Sequence, residues 1–163
     1  MIGRAIRVLF GFVFACLAAG LTVVLFVYNP LELADLQSER LWEVGLMTLF
    51  AATHSAVFAA PFALIGAGFG EWQRIGSWMY YVLVAVAIAA IGFLAQFWTE
   101  AAGEATIVNS YAVTAFLLTG FVAGLVYWLF AGRFAGGRDR EPEIIPPPRP
   151  TASPNGPSAR VAT

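Results

Sequence analysis

The chain contains no lysine, one cysteine and one histidine, and only 12% of its 163 residues are charged, about half the share of roughly 25% in soluble domains. Each shortage removes a class of function. A single cysteine, Cys16, allows no intrachain disulfide and no CxxC redox or zinc site. Nine cations, all arginine, with a net charge of -1 and a pI near 5.8, offer no basic surface, so nucleic acid is not an expected partner. What fills the composition instead is 60% hydrophobic residues and a mean hydropathy of +0.76. The charged residues are gathered into short segments, leaving four long uncharged stretches, a pattern that a water-exposed amphipathic fold would not produce.

Those stretches cover about residues 8–27, 44–69, 75–97 and 112–132. Each reaches the ~20 residues that cross a hydrocarbon core of about 30 Å at 1.5 Å per residue. Without period-2 alternation, such segments satisfy their backbone groups as helices rather than as barrel strands. The expectation is an all-α integral membrane protein, a four-transmembrane-helix bundle over residues 1–135, with the lipid bilayer as its first partner. Arg4 and Arg7 followed by an apolar run imitate a signal peptide, and the segment Val13 to Cys16 imitates a lipoprotein cleavage box. The run continues to Val27, however, which is spanning length and reads as a retained helix.

Arginine placement gives an orientation. Arg4, Arg7, Arg74, Arg133, Arg138, Arg140, Arg149 and Arg160 fall on one side of the four spans and Arg40 on the other, so both termini are expected in the cytoplasm. Every Trp and Tyr falls near a span end: Tyr28, Trp42, Trp98 and Tyr111 at the outer end, and Trp72, Trp78, Tyr80, Tyr81, Tyr127 and Trp128 at the inner end. Amphipathic rings gain by placing an apolar body among acyl chains and a polar atom at the headgroups, so these residues read as interface anchors.

The segment 29–43 mixes Glu32, Asp35, Glu39 and Glu43 with leucines and reads as a short interfacial helix, with Asn29 as N-cap and Pro30 as its first residue. It is a docking surface or, more simply, a solvated acidic connector. The five-residue link at 70–74 makes the second and third helices expected antiparallel neighbours, and the glycines Gly66, Gly68 and Gly70 read as a helix terminus. Residues 136–163, rich in Pro, Ser and charge, cannot bury a core and read as a disordered cytoplasmic tail.

Candidate sites are few. His54 lies about ten residues into the second stretch, near mid-bilayer, where an ionisable side chain earns a functional hypothesis: proton relay, haem or quinone contact. One ligand is too few for haem or zinc without a second subunit, and no intramembrane carboxylate or cation accompanies it. The simpler reading is a neutral packing histidine, hydrogen-bonded by Thr48, Thr53 or Ser55. Small residues recur at fourth positions, as Ala51, Ser55, Ala59 and Ala63, as Gly11, Ala15 and Ala19, and as Gly120 and Gly124, a spacing that lets helix backbones approach. Pro61 lacks the N-H that would bond the Val57 carbonyl and marks a kink.

The run from Gly124 to Gly136, with Tyr127, Trp128, Gly132, Arg133 and Phe134, resembles the close of small four-span bacterial inner-membrane proteins. The resemblance implies a bacterial inner-membrane location and carries no activity, site or cofactor. No cofactor and no metal site are therefore expected, and the functional expectation is a non-enzymatic accessory, assembly or scaffold component that acts on other membrane helices, from its own copies or another subunit. The alternatives are a small homo-oligomeric transporter or channel and a haem- or quinone-binding subunit using His54.

Overall fold

A computed structural model describes residues 2–28, 38–100 and 108–136, with the side chains of the second helix described from Leu41 onward. These residues form four α-helices and a closing turn: α1 (Ile2–Val27), α2 (Ser38–Trp72), α3 (Trp78–Trp98), α4 (Ser110–Phe130) and a 3-10 turn at Gly132–Phe134. All four helices are long and apolar enough to cross a membrane. The tail beyond Gly136 and the Asn29–Pro30–Glu32 cap lie outside the described residues.

Helix ends depart from the uncharged stretches for local reasons. α1 starts at Ile2, ahead of the apolar run, because arginine is a good helix former and can carry its charge out of the bundle on a long stem. α2 starts at Ser38, so part of the expected separate interfacial helix is the beginning of α2 itself; its 35 residues extend about 52 Å, well beyond a core of ~30 Å. Residues 75–77 form a non-helical linker, and α3 begins only at Trp78. At α4, Asn109 moves the start ahead of the uncharged stretch: its side chain accepts from the Ala112 N-H at 2.8 Å, satisfying a first-turn donor.

The glycines before the linker do not end α2. The helix runs through them to Trp72, and Arg74 takes the left-handed position with φ 54°. The Ile75 N-H bonds the Gly70 carbonyl at 2.8 Å and the Arg74 N-H bonds Glu71 at 3.3 Å, the two-bond pattern of a Schellman cap. Glycine is the usual occupant of that position, and arginine there costs about 1–2 kcal/mol of local conformational energy.

Neighbouring helices pack in the order α2, α1, α4, α3. The two helices joined by the shortest described link, α2 and α3, are neighbours as that link leads one to expect, yet they are the most loosely packed of the four neighbouring pairs. Side-chain size accounts for it. Where α1 meets α2, a methyl group on Gly20 would lie 2.5 Å from the Thr48 carbonyl oxygen and 2.7 Å from the Ala52 nitrogen, so the backbones touch directly. Gly120 and Gly124 do the same between α4 and α3, with the Ala85 oxygen and the Val82 Cα at 2.9 and 2.6 Å from the missing methyls. Between α2 and α3 a glycine meets a side chain instead: Gly66 meets Val84, Gly70 meets Tyr80 and Tyr81, and Gly92 meets the Phe58 ring. Those side chains hold the axes apart and leave a space inside the bundle.

Candidate functional site: a cavity enclosed by four helices

The space is a cavity of about 660 Å³ lined by all four helices. α2 contributes Ala51, His54, Ser55, Phe58, Ala59, Ala63, Gly66 and Ala67, and the small side chains of α3 and α4 face them. At the end near the chain's arginines, buried Ala67, Tyr81 and Gly124, with Tyr127, form a floor. At the other end the lining residues are exposed: His54, Ala95, Gln96, Thr99, Val27 and Tyr111 form a mouth. Among the described residues, no carboxylate or arginine lines the cavity.

The floor is fixed by polar contacts to the linker. Tyr80 Oη donates to the Gly66 carbonyl at 2.7 Å, Tyr81 Oη to Ile75 at 2.9 Å, and Trp128 Nε1 to Gly76 at 2.8 Å. The Tyr81 and Trp128 rings close backbone acceptors of the linker, and Tyr80 adds a donor to a carbonyl inside α2. Tyr81 is 5% exposed and sits where a side chain on Gly132 would collide with its ring at 2.5 Å. Outside this cluster, Glu71 accepts from Arg4 Nη2 at 2.7 Å and from Arg7 Nη2 at 3.2 Å, joining α1 to the end of α2. The Phe134 ring lies 5.3 Å from the Arg7 guanidinium carbon and 4.6 Å from that of Arg133. These are cation–π distances that tie the closing turn to α1. At the mouth, Tyr111 Oη donates to the Phe26 carbonyl, and their rings meet edge to face.

His54 stands at the mouth, exposed, with no hydrogen bond to another described residue. The hydroxyls expected to partner it are turned away: Thr48 donates to the Val44 carbonyl at 2.9 Å and Thr53 to Leu49 at 2.8 Å. In a helix the i−4 carbonyl is the nearest acceptor for a threonine, which is why the expected bonds do not form. Ala51, Ser55, Ala59 and Ala63 face the cavity rather than a neighbouring backbone. Gly11, Ala15, Ala19, Gly120 and Gly124 are buried, with Gly11 against Ala131, so these glycines pack within one chain. Pro61 is exposed inside an uninterrupted α2.

Of the aromatic anchors, Tyr28, Trp42, Trp72, Trp78 and Trp98 are exposed, whereas Tyr127 and Trp128 are half-buried and belong with Tyr80 and Tyr81 to the internal cluster. That cluster and Glu71 were not singled out from sequence as parts of a site. A signal existed: Glu71 is a carboxylate among arginines, and the Tyr80-Tyr81 pair stands opposite Gly70 and Gly132. No family model, curated protein or solved structure matches the chain.

Proposed function

We propose that the protein is a non-enzymatic, multi-pass component of a bacterial inner membrane, an accessory, assembly or scaffold subunit that acts by holding other apolar molecules and helices. The observation that carries this reading is the cavity: it is large and formed by every helix, yet none of its described lining residues is a carboxylate or arginine that would stabilise a developing charge. Its polar groups are hydroxyls, one amide, one thiol and one imidazole, sparse among alanines. No three His, Cys, Asp or Glu side chains gather into a metal-binding group among the described residues. The exposed row Phe50, Val57 and Leu64 on α2 gives a second helix a surface to meet.

Arg4, Arg7, Arg74 and Arg133 share one end of the bundle, which supports a cytoplasmic location for that end and for both termini. A transport role would require several copies, since the tyrosine floor closes the cavity within one. The cofactor reading rests on His54 at the mouth, and a His54→Ala variant that keeps its full pigment content excludes haem there.

The test is a C-terminally tagged protein solubilised mildly from native membranes. Stoichiometric recovery with a larger membrane complex is the expected result. Recovery as a discrete homo-oligomer without partners, carrying out substrate flux in vesicles, overturns the reading.

A further inference from the structure

The cavity's dimensions identify what it can hold. Its lining runs from Tyr81 to Thr99 on α3 and from Phe12 to Val27 on α1, a length of roughly 22–27 Å at 1.5 Å per residue. Spread over that length, 660 Å³ open to the centre of a water-sized sphere gives roughly 24–30 Å² for the centre and, with a radius of about 1.4 Å added, roughly 55–65 Å² from wall to wall. A helix with side chains is about 10–12 Å across and needs roughly 80–110 Å². A single hydrocarbon chain, packed at van der Waals contact, needs roughly 20 Å². The slot is therefore too narrow for a partner helix and wide enough for an acyl chain.

We propose that the cavity is a slot for one acyl chain of a bilayer lipid. The chain enters between α2 and α3, the most loosely packed neighbouring pair, and lies extended along Ala59, Ala63 and Ala89 toward the tyrosine floor. The headgroup stays at the mouth, where Gln96 and Thr99 at the end of α3 are exposed and polar. Phe58 crosses from α2 to Gly92 on α3 and forms a bar over the side of the slot. Alanine at the walls is what makes room, since larger side chains would fill the channel as they do in an ordinary bundle core. The slot's length exceeds half of a ~30 Å hydrocarbon core, so an extended long chain fills it and a short one leaves its floor empty. This site is independent of whether a protein partner is found on the outside of α2.

The test uses the full-length protein in vesicles of phosphatidylethanolamine bearing a photoreactive diazirine midway along one acyl chain. Irradiation followed by peptide mass spectrometry is expected to place adducts on wall residues Cys16, Ala59, Ala63 and Ala89, with stearoyl lipid labelling them several-fold more than lauroyl lipid. Ala63→Phe is expected to remove wall labelling while outward Val57 labels as before. Ala89→Phe, on the facing wall, serves the same purpose should the first variant misfold. Adducts confined to outward residues such as Val57 and Leu64 overturn the proposal, as does wall labelling that both fillers leave unchanged. A second polypeptide cross-linked to the wall in place of lipid overturns it too.

Discussion

At the arginine-bearing end, three rings hydrogen-bond the backbone of α2 and the linker, one carboxylate holds two arginines, and Tyr81 meets Tyr80 edge to face and Tyr127 at a tilt. At the opposite end, among the described residues, Tyr111 contacts α1 and Asn109 caps α4, and His54 and Gln96 are exposed. Within hydrocarbon, burial against another helix gains little over burial against lipid, so polar and close-packed contacts decide where helices stay together. The contrast teaches that a bundle can be clamped at one end and left parted at the other by placing such contacts unevenly, and the cavity is what lies between.

The largest expected effect comes from undoing the clamp. Tyr81→Ala removes the ring at the centre of the floor and should cost about 3–5 kcal/mol, seen as an early thermal transition in detergent, whereas Tyr81→Phe loses only the bond to Ile75, about 1 kcal/mol. If the two variants behave alike, the hydroxyl rather than the packed ring holds that end. Gly124→Leu forces a side chain onto the α3 backbone and should destabilise by about 1–3 kcal/mol, measured in the same way. Glu71→Gln leaves two arginines sharing a neutral amide; partial exposure reduces the loss to about 1 kcal/mol, and salt should narrow the gap to wild type. At the parted end, Tyr111→Phe should cost less than about 1 kcal/mol, and His54→Ala should stay within about 0.5 kcal/mol of wild type. A larger loss for His54→Ala would show that the mouth is more tightly organised than its contacts indicate.

Much of the architecture was legible from the sequence because it depends on one-dimensional quantities. Four apolar runs of spanning length form four helices, and Arg4, Arg7, Arg74 and Arg133 collect at one end of the bundle. Tightness of pairing depends on two sequences at once: a five-residue link makes α2 and α3 neighbours, but it does not say how closely they pack. The alanine stripe on α2 has the spacing of a packing face, yet whether it meets a backbone or a void is decided by the bulk of Phe58 on α2 and of Val84 and Tyr80 opposite. His54 was placed in the correct helix, but its partners could not be read because Thr48 and Thr53 satisfy themselves within their own turn. The cavity itself has no sequence signature, being a property of what four helices jointly leave unfilled.

The packing order also sets a timetable. α1 is made before the other three helices, yet it lies between α2 and α4, and its Gly11 meets Ala131, 120 positions further along the chain. At a synthesis rate of about 5–20 residues per second, that partner emerges roughly 6–24 s later. During the wait α1 has α2 on one side and lipid on the face that α4 will cover. The Gly11 face must therefore remain unclaimed by any competing helix until α4 is inserted, so the shape of this bundle is settled only by its fourth helix.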